Sequence, residues 1–277
     1  MIFAISNIIR KLCTCILLCF TSAFILSIET IALETKSIAS TSLCGDSYIL
    51  ALAPQKISHL SWQSRSLLST ADDRQKKLPQ VWNDTEILLN SNASHILLGS
   101  GETNNKLPSK IQKIELKWGE SFETIRSNAE LIINSLGLEK DIVDNWEERI
   151  RTLHQNAKNR KFKPKILYLS RSGSSAGVDT FVDAAIKYAG GVNIVKNTGW
   201  YKPDPEQLIK YDPDLIITSY FSSGYESVEA IAIRNKVIER FIHSHPVVEI
   251  EGSLWPCAGP GLIQASEKIA IAIDNLS

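Results

Sequence analysis

The sequence predicts an α/β fold of two Rossmann-like lobes joined by a single long α-helix, with a ligand cleft between the lobes. Three observations carry this. Short apolar runs alternate with helical patterns along most of the chain, as parallel sheets with crossover helices require. The fourteen residues EILLNSNASHILLG from Glu86 align without a gap with EQLIKYDPDLIITS from Glu206, each reading as a helix opened by glutamate, a turn and a buried strand. Between these units lies a strongly charged helical segment, LEKDIVDNWEERIRTLHQNAKNR, with no strand partner nearby and Pro164 beyond it. At ~1.5 Å per residue it reaches ~30 Å, the width of a small domain. The predicted organisation is a signal peptide over residues 1–32, an N-terminal α/β lobe over 33–137, the inter-lobe helix over 138–160 and a C-terminal α/β lobe over 161–277.

The N-terminus differs from the rest. Arg10-Lys11 precede LCTCILLCFTSAFILS, Leu12 to Ser27, a run without charge followed by small residues. That is the pattern of a secretory signal, with cleavage after Ala23 or Ala32. An uncleaved anchor helix stays open, since the run is near the ~17 residues that span a bilayer. Leu17-Leu18 before Cys19 do not suit a lipid-modified cysteine. The exported chain keeps Cys44 and Cys257, which an oxidising compartment allows to pair. Hydrophobic residues make up 44% of the 277, and 30 basic residues balance 30 acidic ones, so nothing points to nucleic acid as a partner.

In the first lobe, Ser37 to Ser42 is the opening strand, running into LCGDSYILALA, a helix that Asp46 is placed to cap. The Glu86 unit supplies a helix and a strand, and IQKIEL a further strand closed by Trp118-Gly119. Phe122, Ile125, Ala129, Ile132 and Ile133 then recur at helical spacing until Gly137 ends the run. In the second lobe KILYLS, DLIITSY and PVVEIEG read as strands. VDTFVDAAIKYAGG, PEQLIKY, AIRNKVIERFI and GLIQASEKIAIAIDNL read as helices.

Gly173-Ser174-Ser175-Ala176-Gly177 fits G-x-S-x-G between a strand and a helix, so a secreted serine hydrolase using Ser175 is the alternative function. Asp212 or Asp214 and His243 or His245 supply the order Ser, Asp, His. A hydrolase needs its histidine after the last strand, however, and both histidines precede it; no Gly-rich oxyanion motif lies upstream. No residue is assigned as catalytic. The small residues read instead as a ligand-facing loop, with free N–H groups and the fork of Arg171, which is otherwise a solvated side chain.

Trp62, Trp82, Trp118, Trp200 and Trp255 all fall in connections, where core packing rarely needs large rings. Loops at strand carboxyl ends line the crevice of α/β proteins, so these rings suit a large, flat, partly apolar ligand. The histidines His59, His95, His154, His243 and His245 are scattered, with no metal-site spacing. No cofactor motif is present.

Four segments resemble a known family: TSLCGDSYILALAPQKISHLSWQS its opening strand, helix and second strand; FVDAAIKYAGGVNIV its small-residue helix end; PEQLIKYDPDLIIT its most recognisable motif; LWPCAGPG the segment after its last strand. Over Ser37 to Leu276 the chain resembles the periplasmic substrate-binding proteins of ABC importers for iron–siderophore, haem and cobalamin. The resemblance implies a monomeric, non-enzymatic protein that captures a metal chelate, a ferric siderophore, haem or cobalamin, and delivers it to an ABC permease in the inner membrane. It implies that Glu86 and Glu206 dock with permease arginines. Trp82, Trp200 and Trp255 fall near its ligand-contact positions; with Cys44, Trp62, Arg171 and Tyr201 they make the predicted ligand-binding set. NSNASH stands where the family has a Lys-Pro-Asp turn, and Leu254 where cobalamin binders carry an acid. Cys44 and Cys257 fall on cleft-facing loops, one per lobe: a disulfide across the cleft, thiols against the ligand, or separate buried side chains.

Overall fold

The structure, a computed structural model, describes residues 36–170, 173–219 and 236–276. The signal segment 1–32 and Arg171 lie outside the described residues.

Strand β1 (Ile38–Ser40) leads into helix α1 (Leu43–Leu52), capped by Ser42, whose Oγ accepts from the Gly45 N–H at 3.1 Å. Asp46, expected as this cap, lies inside the helix instead. A capping side chain must precede the first turn, and Ser42 holds that place. Asp46 turns inward and is fully buried, accepting from the N–H (2.9 Å) and Oγ (2.6 Å) of Ser61 at the end of β2 (Ile57–Ser61). The N-terminal lobe continues through β3 (Gln80–Val81), α2 (Thr85–Asn90), β4 (His95–Leu98), β5 (Gln112–Glu115) and α3 (Phe122–Leu136). Its sheet has the order β3-β2-β1-β4-β5, all parallel. Helix α3 stops at Gly137, whose φ of +65° suits a residue without a side chain.

Helix α4 (Asp141–Asn159) joins the lobes and at ~1.5 Å per residue is ~28 Å long. Val143, Trp146, Leu153 and Ala157 form its buried stripe. The C-terminal lobe holds β6 (Lys165–Ser170), β7 (Ser175–Ala176), α5 (Phe181–Tyr188), β8 (Val192–Asn193), β9 (Trp200–Tyr201), α6 (Pro205–Lys210), β10 (Leu215–Ser219), α7 (Lys236–His243), β11 (Val247–Glu249) and α8 (Gly261–Asp274). Its parallel sheet runs β11-β10-β6-β8, and β7 and β9 form a separate antiparallel pair.

The two sheets are one topology built twice. Strands β2-β1-β4-β5 correspond in order and in sequence to β8-β6-β10-β11, so α1 corresponds to α5, α2 to α6, and α3 to α8. The fourteen-residue match that opens at Glu86 and Glu206 is therefore the same helix and strand of each lobe.

Each sheet buries one face in a core of its own. Leu88, Ile96 and Leu98 lie in the first, and Leu167, Leu208 and Ile216 in the second. The other faces share one apolar cluster that runs from Ile38, Ile49 and Ile125 past Trp146 of α4 to Ile166, Ile186 and Ile263. Arg149 of α4 also makes a two-pronged pair with Glu267 of α8, both bonds 2.7 Å. The lobes are thus packed together along the linker helix.

Candidate functional site

In parallel α/β sheets the loops at the strands' carboxyl ends carry the site. Two contacts turn those edges of the lobes toward each other. Glu120, in the loop after β5, accepts from the N–H of Phe181, the first residue of α5, at 2.8 Å. A carboxylate is well placed at a helix N-terminus, where N–H groups are free and the dipole is positive. Cys257, after β11, is disulfide-bonded to Cys44 in the first turn of α1, with Cα atoms 5.4 Å apart. Under the lobe correspondence these are one contact made twice, the loop after a lobe's last strand meeting the first helix of the other lobe.

The disulfide closes the free-thiol alternative for Cys44. Beside it is a cavity of about 300 Å³ lined by Ser47 of α1, Trp146 and Arg149 of α4, and Pro256, Pro260 and Gln264 of the C-terminal lobe. That cavity brings residues near both cysteines in sequence, Ser47 and Pro256, together with the linker helix. A second groove of about 580 Å³ runs along α4 past Phe122, Arg126, Ile150, His154 and Tyr188. There the Tyr188 hydroxyl donates to Glu123 at 3.4 Å, and its ring lies 4.2 Å from that of Phe122.

Of the five tryptophans in connections, four are exposed and one is buried. Trp62 after β2, Trp82 after β3, Trp118 after β5 and Trp200 in β9 are between 47% and 77% exposed. Trp255 is 3% exposed. It packs edge-on against Tyr168 at 5.8 Å and beside Phe181 at 6.1 Å, and these two rings in turn touch Trp200 at 5.9 and 5.3 Å. Trp200 is thus the exposed member of a four-ring cluster with Trp255 behind it. The indole N–H of Trp255 is buried without an acceptor among the described residues. Burial pushes the Tyr168 phenol up to about 12. Tyr201 is partly buried and shares its hydroxyl with Tyr211 at 2.9 Å; burial first, then Tyr211, raise its pKa. Phe181 and Tyr168 escaped the sequence-level set because a strand residue and a helix's first residue read as packing. The signal for Phe181 was its place just after the Gly/Ser turn.

Ser175 is not at a nucleophile elbow. It lies in β7, fully buried, and its Oγ donates to the Tyr168 carbonyl at 2.7 Å. The motif's glycines serve the backbone. Gly173 has a φ of +77°, and a Cβ at Gly177 would sit 1.8 Å from the Asn197 carbonyl oxygen. His243 and His245 precede β11, at the opposite edge of the parallel sheet from the loop after β6. Among the described residues, no three histidine, cysteine or acidic side chains gather where they could hold a metal ion.

Glu86 and Glu206 are both exposed, in the first turns of α2 and α6. Asp84 caps α2 by accepting from the Ile87 N–H at 3.1 Å, and Pro205 opens α6. The two glutamates thus occupy equivalent places on the two lobes.

No family model matches the chain. An uncharacterized ABC transporter substrate-binding lipoprotein of Bacillus subtilis, YvrC, is 25% identical over 167 residues, 56% of this chain and 51% of that one. The chain thus spans about half the length of the curated relative it matches. Among solved structures, the periplasmic haem-binding protein HutB of Vibrio cholerae superposes with a TM-score of 0.69 at 21% identity, over 87% of this chain and 99% of that one. The periplasmic vitamin B12-binding protein BtuF of the same organism gives 0.60 at 15% identity, over 87% and 97%. The fold is that of two-lobed periplasmic binding proteins.

Proposed function

We propose that this protein is the extracytoplasmic solute-binding component of an ABC importer, and no enzyme. It takes up a ferric siderophore, haem or cobalamin between its lobes and hands it to an inner-membrane permease. The observation that carries this is the pair of opposed carboxyl-end edges with exposed tryptophans on both, in a fold shared with haem- and vitamin B12-binding proteins. Trp62, Trp82, Trp200 and Tyr201 supply ring contacts, Trp255 steadies Trp200 from behind, and Arg171 pairs with the ligand's acidic groups. Cys44 acts through its bond to Cys257, which ties the two lobes together. The protein works as a monomer, with residues 1–32 as its export signal.

Docking falls to Glu86 and Glu206, facing basic side chains of the permease. Two experiments separate capture from delivery. Gel filtration of the mature protein with cobalamin, haem or a ferric siderophore tests capture, and one chromophore co-elutes at a one-to-one ratio. In cells, Glu86→Arg with Glu206→Arg abolishes uptake and leaves that co-elution intact. Undiminished uptake would overturn the docking assignment.

A further inference from the structure

The two docking helices share more than a glutamate. In the repeated unit Glu86 aligns with Glu206, Leu88 with Leu208 and Leu89 with Ile209. Leu88 and Leu208 are the anchors, 0% and 1% exposed, each in its own lobe's core. The next residue points outward in both: Leu89 is 40% exposed and Ile209 54%. Each lies three positions after its glutamate, and residues three apart are neighbours on one helix face. Each lobe therefore presents one acid and one aliphatic side chain side by side, at places the double topology makes equivalent. A single exposed aliphatic residue on a surface needs no explanation. The same acid–aliphatic pair at both equivalent sites does.

We infer that Leu89 and Ile209 are apolar pins of the docking surface. Their partner is a membrane protein with two-fold symmetry that offers, on each half, a basic side chain beside a shallow apolar recess. The inference rests on the docking role proposed for Glu86 and Glu206. Two equivalent patches on one chain can be met together only by a surface that repeats itself, and acids call for basic counterparts. The charges steer and orient, while the pins lose water only on contact and so act on the lifetime of the complex.

The test uses the full chain in cells, with benzoylphenylalanine in place of Leu89, of Ile209, or of Ile271, an exposed control on α8. Photo-crosslinking from positions 89 and 209 yields the same stretch of one polytopic membrane protein, and position 271 yields none. Leu89→Asp and Ile209→Asp then each weaken binding to that partner about tenfold, as losing the burial of part of a leucine side chain would, with melting temperature unchanged. Crosslinks to two unrelated proteins would overturn the two-fold partner. Unchanged affinity in both aspartate variants, where Glu86→Arg with Glu206→Arg abolishes binding, would remove the pins and keep the docking face. Full binding in the arginine variant as well would remove the docking face itself.

Discussion

Cys44 and Cys257, 213 residues apart in sequence, are joined by a disulfide that ties the first helix of one lobe to the last loop of the other. Cross-linking so long a span removes much of the freedom of the unfolded chain. Cys44→Ser therefore lowers the stability of the mature protein by about 2–5 kcal/mol. Thermal unfolding with and without reductant checks this: wild type loses stability on reduction, and the variant is insensitive to it. Equal melting of the two proteins under oxidising conditions would mean that the bond adds nothing.

Glu120 and Phe181 are the counterpart of that bond under the correspondence of the two lobes. Glu120→Ala leaves the Phe181 N–H at the start of α5 without its acceptor, while Thr180 still caps the helix, and costs about 1–2 kcal/mol. Because both tethers hold the same two bodies, their losses do not add. The double variant Cys44→Ser with Glu120→Ala departs from the sum by more than about 0.5 kcal/mol in a denaturant cycle. Simple additivity would mean that the tethers act independently.

Asp46 provides a pH signature. Burial lifts its pKa from the ordinary 3.8 to about 6, although Ser61 donates two hydrogen bonds that work the other way. An acid whose pKa is raised on folding favours the folded state at low pH, and that advantage fades as pH climbs from about 4 through about 6. The change is about 3 kcal/mol in order of magnitude. His59 and His95, whose pKa values burial lowers, act in the opposite sense as pH falls, so the informative quantity is a difference. Relative to wild type, Asp46→Asn gains stability as pH rises from 4 to 7, measured by denaturant unfolding. A flat difference would show that Asp46 ionises freely.

Much of the fold was legible in the sequence because periodicity and topology share a cause. Fully buried central strands read as continuous apolar runs, as HILL and LIITS do, and the Glu86–Glu206 match reported a real equivalence of the lobes. The misplaced cap shows the limit. Ser42 and Asp46 are both good capping residues, and only the three-dimensional position of Ser61 draws Asp46 inside. The exposed tryptophans were legible as loop residues, but Trp255 has the same sequence context and is buried. Its surroundings come from Tyr168 and Phe181, two elements distant in sequence. The disulfide was out of reach because its proximity depends on how the lobes pack.

Ser175 should be chemically silent. Its hydroxyl is buried and committed to the Tyr168 carbonyl, so a fluorophosphonate probe leaves the mature protein unlabelled. Ser175→Ala costs about 1 kcal/mol of stability through that lost bond and leaves ligand binding unchanged. Labelling that vanishes in Ser175→Ala would reopen the hydrolase alternative.

Under the proposed function a metal chelate bound between the lobes touches the exposed ring of Trp200, and tryptophan fluorescence tests this most directly. The mature protein is titrated with cobalamin, haem and several ferric siderophores, in wild type and in Trp200→Ala. One ligand class gives saturable quenching in wild type. Loss of the exposed Trp200 ring, which packs edge-on against Tyr168, weakens that binding about tenfold, the worth of a good ring contact. No response to any of these ligands, or an affinity untouched in Trp200→Ala, would contradict a chelate bound at this edge.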